Sequence, residues 1–141
     1  MSFLLDTNVV SEWVKPRPDH GVIQWLAAAD EDRVYLSVIT VSEIRFGIEK
    51  LPAGARRRRI KDWLVADLPI RFDKRIIPIT LEIADACGRI WGRGRAAGRP
   101  IAPMDAFIAA TAETSDLTLV TRNTSDFEFL GLPIISPWTT A

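Results

Sequence analysis

Five short apolar runs, FLL at 3–5, VYLS at 34–37, RIIPI at 75–79, LTLV at 117–120 and PII at 133–135, are separated by segments whose apolar residues recur at helical spacing. The helical pattern is clearest over 40–50, 55–66, 81–97 and 105–114. Runs this short and continuous suit strands covered on both faces better than helices. Strands that alternate with helices of ten or more residues pair in parallel, because a parallel neighbour requires a crossover. The expected fold is therefore α/β: a three-layer sandwich with a small, mainly parallel sheet flanked by helices. No repeat, low-complexity tract or linker divides the chain, so a single domain over 1–141 is expected. Such a length buries about two thirds of its unfolded surface and needs no staple. The lone Cys87 rules out an internal disulfide framework. No basic leader with an apolar core opens the sequence and no run approaches a membrane span, so a cytoplasmic protein with no membrane segment is expected.

The first strand run ends on a carboxylate, in FLLDTNVVSEW. A charge at the end of a buried strand is costly unless a helix N-terminus, an arginine or a cation compensates it. Three further acids occupy comparable junctions. Glu43 follows VYLSVI in the expected first turn of a helix, Asp105 opens the helix in APMDAFIAATA, and Asp126 follows LTLVT in TRNTSDF. In open parallel sheets the working site lies beyond the carboxyl ends of the strands. Carboxylates gathered there repel and raise one another's pKa unless they share a cation, and an oxygen-only set suits Mg²⁺ or Mn²⁺. Each acid also has a local explanation. Thr40 and Glu43 match a capping box, Asp6 or Asp105 can complement a helix dipole, and Asp126 can close its own turn. Other chemistries find little support. His20 stands alone in a turn, Cys87 has no partner for a thiol nucleophile, and GRGRAAG lacks the strand and spacing of a phosphate-binding loop.

Taken in order, FLLDTNVVSEW, SVITVSEIRFGIEKLP, GRPIAPMDAFIAATA and LVTRNTSDFEFLGLPIISPW resemble the PIN-domain ribonucleases. Within them the blocks are most similar to the VapC-type toxins of prokaryotic toxin–antitoxin pairs, nearest the FitB-like subgroup. The resemblance spans nearly the whole chain and implies a PIN-like sandwich and a metal-dependent endoribonuclease. It carries Asp6, Glu43 and Asp105 over as metal-binding carboxylates. In the fourth block relatives differ over which position is acidic; here Asn123 is neutral, leaving Asp126 as the acid available. Asn8, Thr121 and Asn123 are then expected to orient water or a ligand. The cofactor implied is Mg²⁺ or Mn²⁺, and the partners are an RNA substrate, a cognate antitoxin and a second copy of the chain in a homodimer.

The chain has no net charge, but 14 of its 18 basic residues are Arg, a side chain suited to bidentate phosphate contacts. Arg93, Arg95 and Arg99, just upstream of Asp105, are expected to face RNA in preference to the run Arg56, Arg57, Arg58 and Arg59. Trp25, Trp63 and Trp91 suit either the core or an interface. Two rival readings remain at this level. One is an inert PIN-like module that binds RNA or protein. The other is an aspartate-based phosphohydrolase, which would want an acid where Asn8 stands.

Overall fold

The computed structural model describes residues 1–138. Five strands, β1 (Phe3–Leu5), β2 (Val34–Ser37), β3 (Ile76–Ile77), β4 (Thr118–Val120) and β5 (Ile134–Ile135), form one sheet in the order β3-β2-β1-β4-β5. Every neighbouring pair is parallel. From β1 the chain builds outward through β2 to β3, then returns to the other side of β1 for β4 and β5. The crossovers therefore diverge between β1 and β4, and the strand ends there frame a crevice.

Among the described residues eight α-helical segments accompany the strands: α1 (Thr7–Val10), α2 (His20–Ala28), α3 (Val38–Glu49), α4 (Ala55–Asp62), α5 (Leu68–Arg71), α6 (Leu81–Ala96), α7 (Pro103–Thr114) and α8 (Thr124–Phe127). The pleat alternates side chains between two cores. Leu4 and Leu119, opposite each other in register, join Ile83, Cys87 and Ile90 of α6 and the alanine-rich buried face of α7. Leu5 and Val120, the next pair, join Val9, Val10, Ile44, Ile48, Leu64 and Phe72 on the other face. Trp25 and Trp63 pack against this second core, whereas Trp91 stays 41% exposed with its ring edge-on to Phe107.

Three expected boundaries shift for local reasons. The run at 75–79 shortens to Ile76–Ile77, since Pro78 has no N–H to continue a ladder. The helix expected over 40–50 starts at Val38, where the Ser37 hydroxyl accepts from Ile39 N at 3.0 Å. The segment 55–66 leaves α-geometry at Trp63–Asp67, a wide turn in which Leu68 N–H reaches the Trp63 carbonyl, immediately before Pro69. Residues 139–141 of the expected single domain lie outside the described residues.

Leu119 is fully buried on a strand flanked on both sides. Leu119→Ala should cost about 3 kcal/mol. Urea unfolding should show this as a lower midpoint with an unchanged slope.

Candidate active site at the sheet switch point

Asp6 immediately follows β1, and its backbone N–H extends the β1–β4 ladder by donating to the Val120 carbonyl at 2.9 Å. The side chain is 4% exposed and its two oxygens are held from different elements. Oδ1 accepts from Thr7 N at 2.7 Å, so Asp6 caps α1; Oδ2 accepts from Thr121 Oγ1 at 2.8 Å. Thr121 is itself fixed at the end of β4 by donating its N–H to the Ile135 carbonyl. The Asn8 amide nitrogen lies 3.4 Å from Asp6 Oδ2, while its carbonyl oxygen accepts from Arg122 N at 3.3 Å. Asn123 N donates to Thr121 Oγ1 at 3.1 Å. Asn8, Thr121 and Asn123 thus stitch the end of β1 to the end of β4.

Glu43 reaches the same edge from α3. Because that helix starts at Val38 and is capped by Ser37, Glu43 falls in the second turn and the capping box with Thr40 does not form. Its Oε1 instead accepts from Thr7 Oγ1 at 2.6 Å, and Thr40 Oγ1 lies 3.0 Å from the same hydroxyl. Thr7 therefore links two carboxylates: its N–H holds Asp6 and its O–H holds Glu43. The DTN triplet contains this residue, but nothing in local spacing reveals a bond spanning 36 positions.

Asp105 stands in the first turn of α7, following Pro103 at the helix start. It lines a cleft of about 360 Å³ with Asp126 of α8 and with Arg99, Ile101 and Phe129. Asp126 is the most open of the four acids, exposed at the rim. Of the three arginines expected near Asp105, Arg99 lines the cleft, while Arg93 Nη2 is turned to Glu113 at 3.0 Å. Arg95 is exposed in the last turn of α6. In the separate run at 56–59, Arg57 pairs with Glu49, and Arg58 and Arg59 line a groove beside Trp13 and Trp63.

The four carboxylates form one electrostatic group. Burial pushes Asp105 up to about 6, and the charges of Asp6, Glu43 and Asp126 push in the same direction. Burial also raises Asp6 against the opposing hydrogen bonds from Thr121 and Thr7, with Glu43 and Asp126 adding to the rise. Among the described residues none of the four is paired with Lys or Arg. Nor do three His, Cys, Asp or Glu side chains there stand as a closed metal-binding group. The donors are all oxygen, their repulsion is unrelieved, and two of them, Asp105 and Asp126, line an open cleft. That chemistry fits a hard cation retaining part of its water shell, as Mg²⁺ does when one or two carboxylates bind it directly.

The PIN domain model matches residues 3–129, from β1 through the turn after α8. The chain belongs to the PIN-domain family. A VapC ribonuclease of Sinorhizobium fredii is 38% identical over 135 residues, covering 96% of each chain. The crystal structure of FitAcB from Neisseria gonorrhoeae superposes with a TM-score of 0.91 at 36% identity, covering 98% of this chain and 99% of that one. A toxin–antitoxin complex from Klebsiella pneumoniae gives 0.71 at 28% identity, covering 99% of this chain and 100% of its own. The expected VapC- and FitB-like PIN sandwich is thus borne out, and its sheet is parallel throughout the described residues.

A raised carboxylate favours the folded protein below its unfolded pKa and loses that advantage as pH rises through the folded value. For Asp105 the window runs from 3.8 to about 6. In protein stripped of divalent ions, acidification across this window should raise Tm relative to Asp105→Asn. At pH 7.5 the variant itself should melt higher, on the order of 2 °C after allowing for the half-exposed position. Scanning calorimetry in EDTA measures both.

Proposed function

We propose that this protein is a metal-dependent endoribonuclease, the toxin of a type II toxin–antitoxin pair, acting in the cytoplasm and restrained by a cognate antitoxin. The observation carrying this reading is the convergence of Asp6, Glu43, Asp105 and Asp126 on one strand edge, coupled in charge and without a basic partner. Full-length similarity to a VapC ribonuclease and to a toxin–antitoxin complex supports the substrate and the partner. Among the described residues no helix is long and apolar enough to cross a membrane. A homodimer is part of the same proposal.

In this reading Asp6, Glu43 and Asp105 hold one or two Mg²⁺ or Mn²⁺ ions, with Asp126 contributing from the rim, directly or through water. Such an ion supplies positive charge to the phosphate under attack and makes water a better nucleophile. The chain's own residues provide the orientation. Thr7 and Thr121 each donate to a carboxylate, Glu43 and Asp6 respectively, and so fix which of its lone pairs stay free. Water attacks phosphorus in line, the P–O3′ bond breaks, and a carboxylate in the cleft relays the proton to the departing oxygen. The products are a 5′-phosphate and a 3′-hydroxyl. An aspartyl-phosphate route would need an acid at Asn8, whose carbonyl oxygen instead accepts from the Arg122 backbone.

The test is cleavage of a mixed small-RNA pool by protein freed of antitoxin, with Mg²⁺, Mn²⁺ or EDTA. Discrete cuts should require metal, and Asp6→Asn should lower their rate by roughly 100-fold or more. Thr7→Val should keep the fold and lose about 10-fold in rate, because Glu43 is no longer oriented. Metal-independent cutting, or equal cutting by wild type and Asp6→Asn, would sink the proposal.

A further inference from the structure

The glycine-rich stretch GRGRAAGRP is not a phosphate-binding loop; it ends α6 and aims Arg99. Gly98 takes φ +67°, the left-handed position after the helix, and donates its N–H to the Arg95 carbonyl at 3.2 Å. Arg99 N–H then turns back to the Gly94 carbonyl at 2.8 Å. A Cβ on Gly94 would sit 2.8 Å from the Arg99 carbonyl oxygen, so this tight return needs glycine there. The two glycines deliver Arg99 to the cleft that contains Asp105 and Asp126.

Arg99 nevertheless pairs with neither acid among the described residues. Its Nη2 donates to the Ser125 carbonyl at 3.0 Å, and its guanidinium carbon lies 5.4 Å from the centre of the Phe129 ring. One of five N–H donors is thus spent on a neutral carbonyl, leaving the charge and the other donors at the mouth of the cleft. Phe129 is half-buried and belongs to neither hydrophobic core, although it lines the same opening. A guanidinium held off two neighbouring carboxylates, beside an aromatic ring outside the core, matches the chemistry of a single-stranded nucleotide. The phosphate needs a cation to enter an acidic cleft, and an unstacked base needs a flat apolar surface.

We propose that Arg99 and Phe129 form a subsite for one unpaired nucleotide beside the scissile bond, with its phosphate on the guanidinium and its base against the ring. This subsite rests on the RNA-cleaving reading above and adds which side chains receive an unpaired nucleotide there. A continuous duplex keeps its bases stacked on one another and cannot offer one to Phe129.

The test uses Asp6→Asn protein in EDTA, so that nothing is cut, with fluorescein-labelled octariboadenylate and an eight-base-pair RNA duplex read by anisotropy across a KCl series. The single strand should bind more tightly than the duplex. Adding Arg99→Met should weaken single-strand binding roughly 10-fold and lower the salt slope by about 0.7, the contribution of one phosphate contact. Arg99→Lys should restore the slope but only part of the affinity. Phe129→Leu should weaken binding roughly 5- to 10-fold and leave the slope unchanged. Thermal melts check that each variant is folded. Undiminished binding by folded Arg99→Met and Phe129→Leu, or no binding of the octamer by the parent, overturns the subsite. So does unchanged RNA binding with loss of a co-expressed antitoxin, which would make the pair a protein contact. Binding losses as stated without metal-dependent cutting by wild type would remove the nuclease and leave the subsite. Cutting by Arg99→Met with an unchanged KM would do the reverse.

Discussion

A carboxylate held almost out of water at the end of the first strand is the constraint on which this protein turns. Asp6 is affordable there only because each oxygen already has a donor: the Thr7 amide opening α1, and the Thr121 hydroxyl at the end of β4. The first donor is the next residue in the chain, but the second depends on β1 lying beside β4 in its observed register. The sheet order and the charge are therefore mutually dependent. A one-residue slip would turn Leu4 and Leu119 out of their shared core and separate Thr121 from Asp6.

From that anchor the remaining acids arrive by different routes. Glu43 comes from a helix packed on one face of the sheet, and Asp105 from a helix packed on the other. Their meeting above the strand ends adds like-charge repulsion to the burial that chiefly raises Asp105 and Asp6. Packing on both faces opposes this local repulsion. A cation bridging the acids would relieve the same repulsion, so in the proposed function a destabilising feature of the bare fold would become binding energy at the site.

Much of this was legible in the chain, and the limits are instructive. The five apolar runs announced the strands because each is continuous and short, and the long spacers between them implied parallel pairing. Asp6, Glu43, Asp105 and Asp126 could be singled out because each follows or opens an element. Boundaries were less legible. The start of α3 depended on whether Ser37 or Thr40 capped it, and both are good caps; in the structure Ser37 caps the helix and Thr40 lies buried in its first turn beside Thr7. Among the arginines, proximity to Asp105 in sequence did not separate Arg93 from Arg99. One faces Glu113 across a helix pair and the other rounds a glycine turn into the cleft.

By itself the sequence determined what is periodic or adjacent: strand and helix type, the acids at junctions, the family likeness and the expected kind of metal. Those properties follow from side-chain chemistry and spacing along a few residues. Only the tertiary structure decided which distant groups meet. Thr7 with Glu43, Thr121 with Asp6, and Arg99 with Phe129 are pairs brought together by crossovers and sheet order. Such contacts span about 30 to 115 positions, and no local pattern encodes them. They form because burying two apolar faces of one sheet leaves a single arrangement in which its strand ends can close.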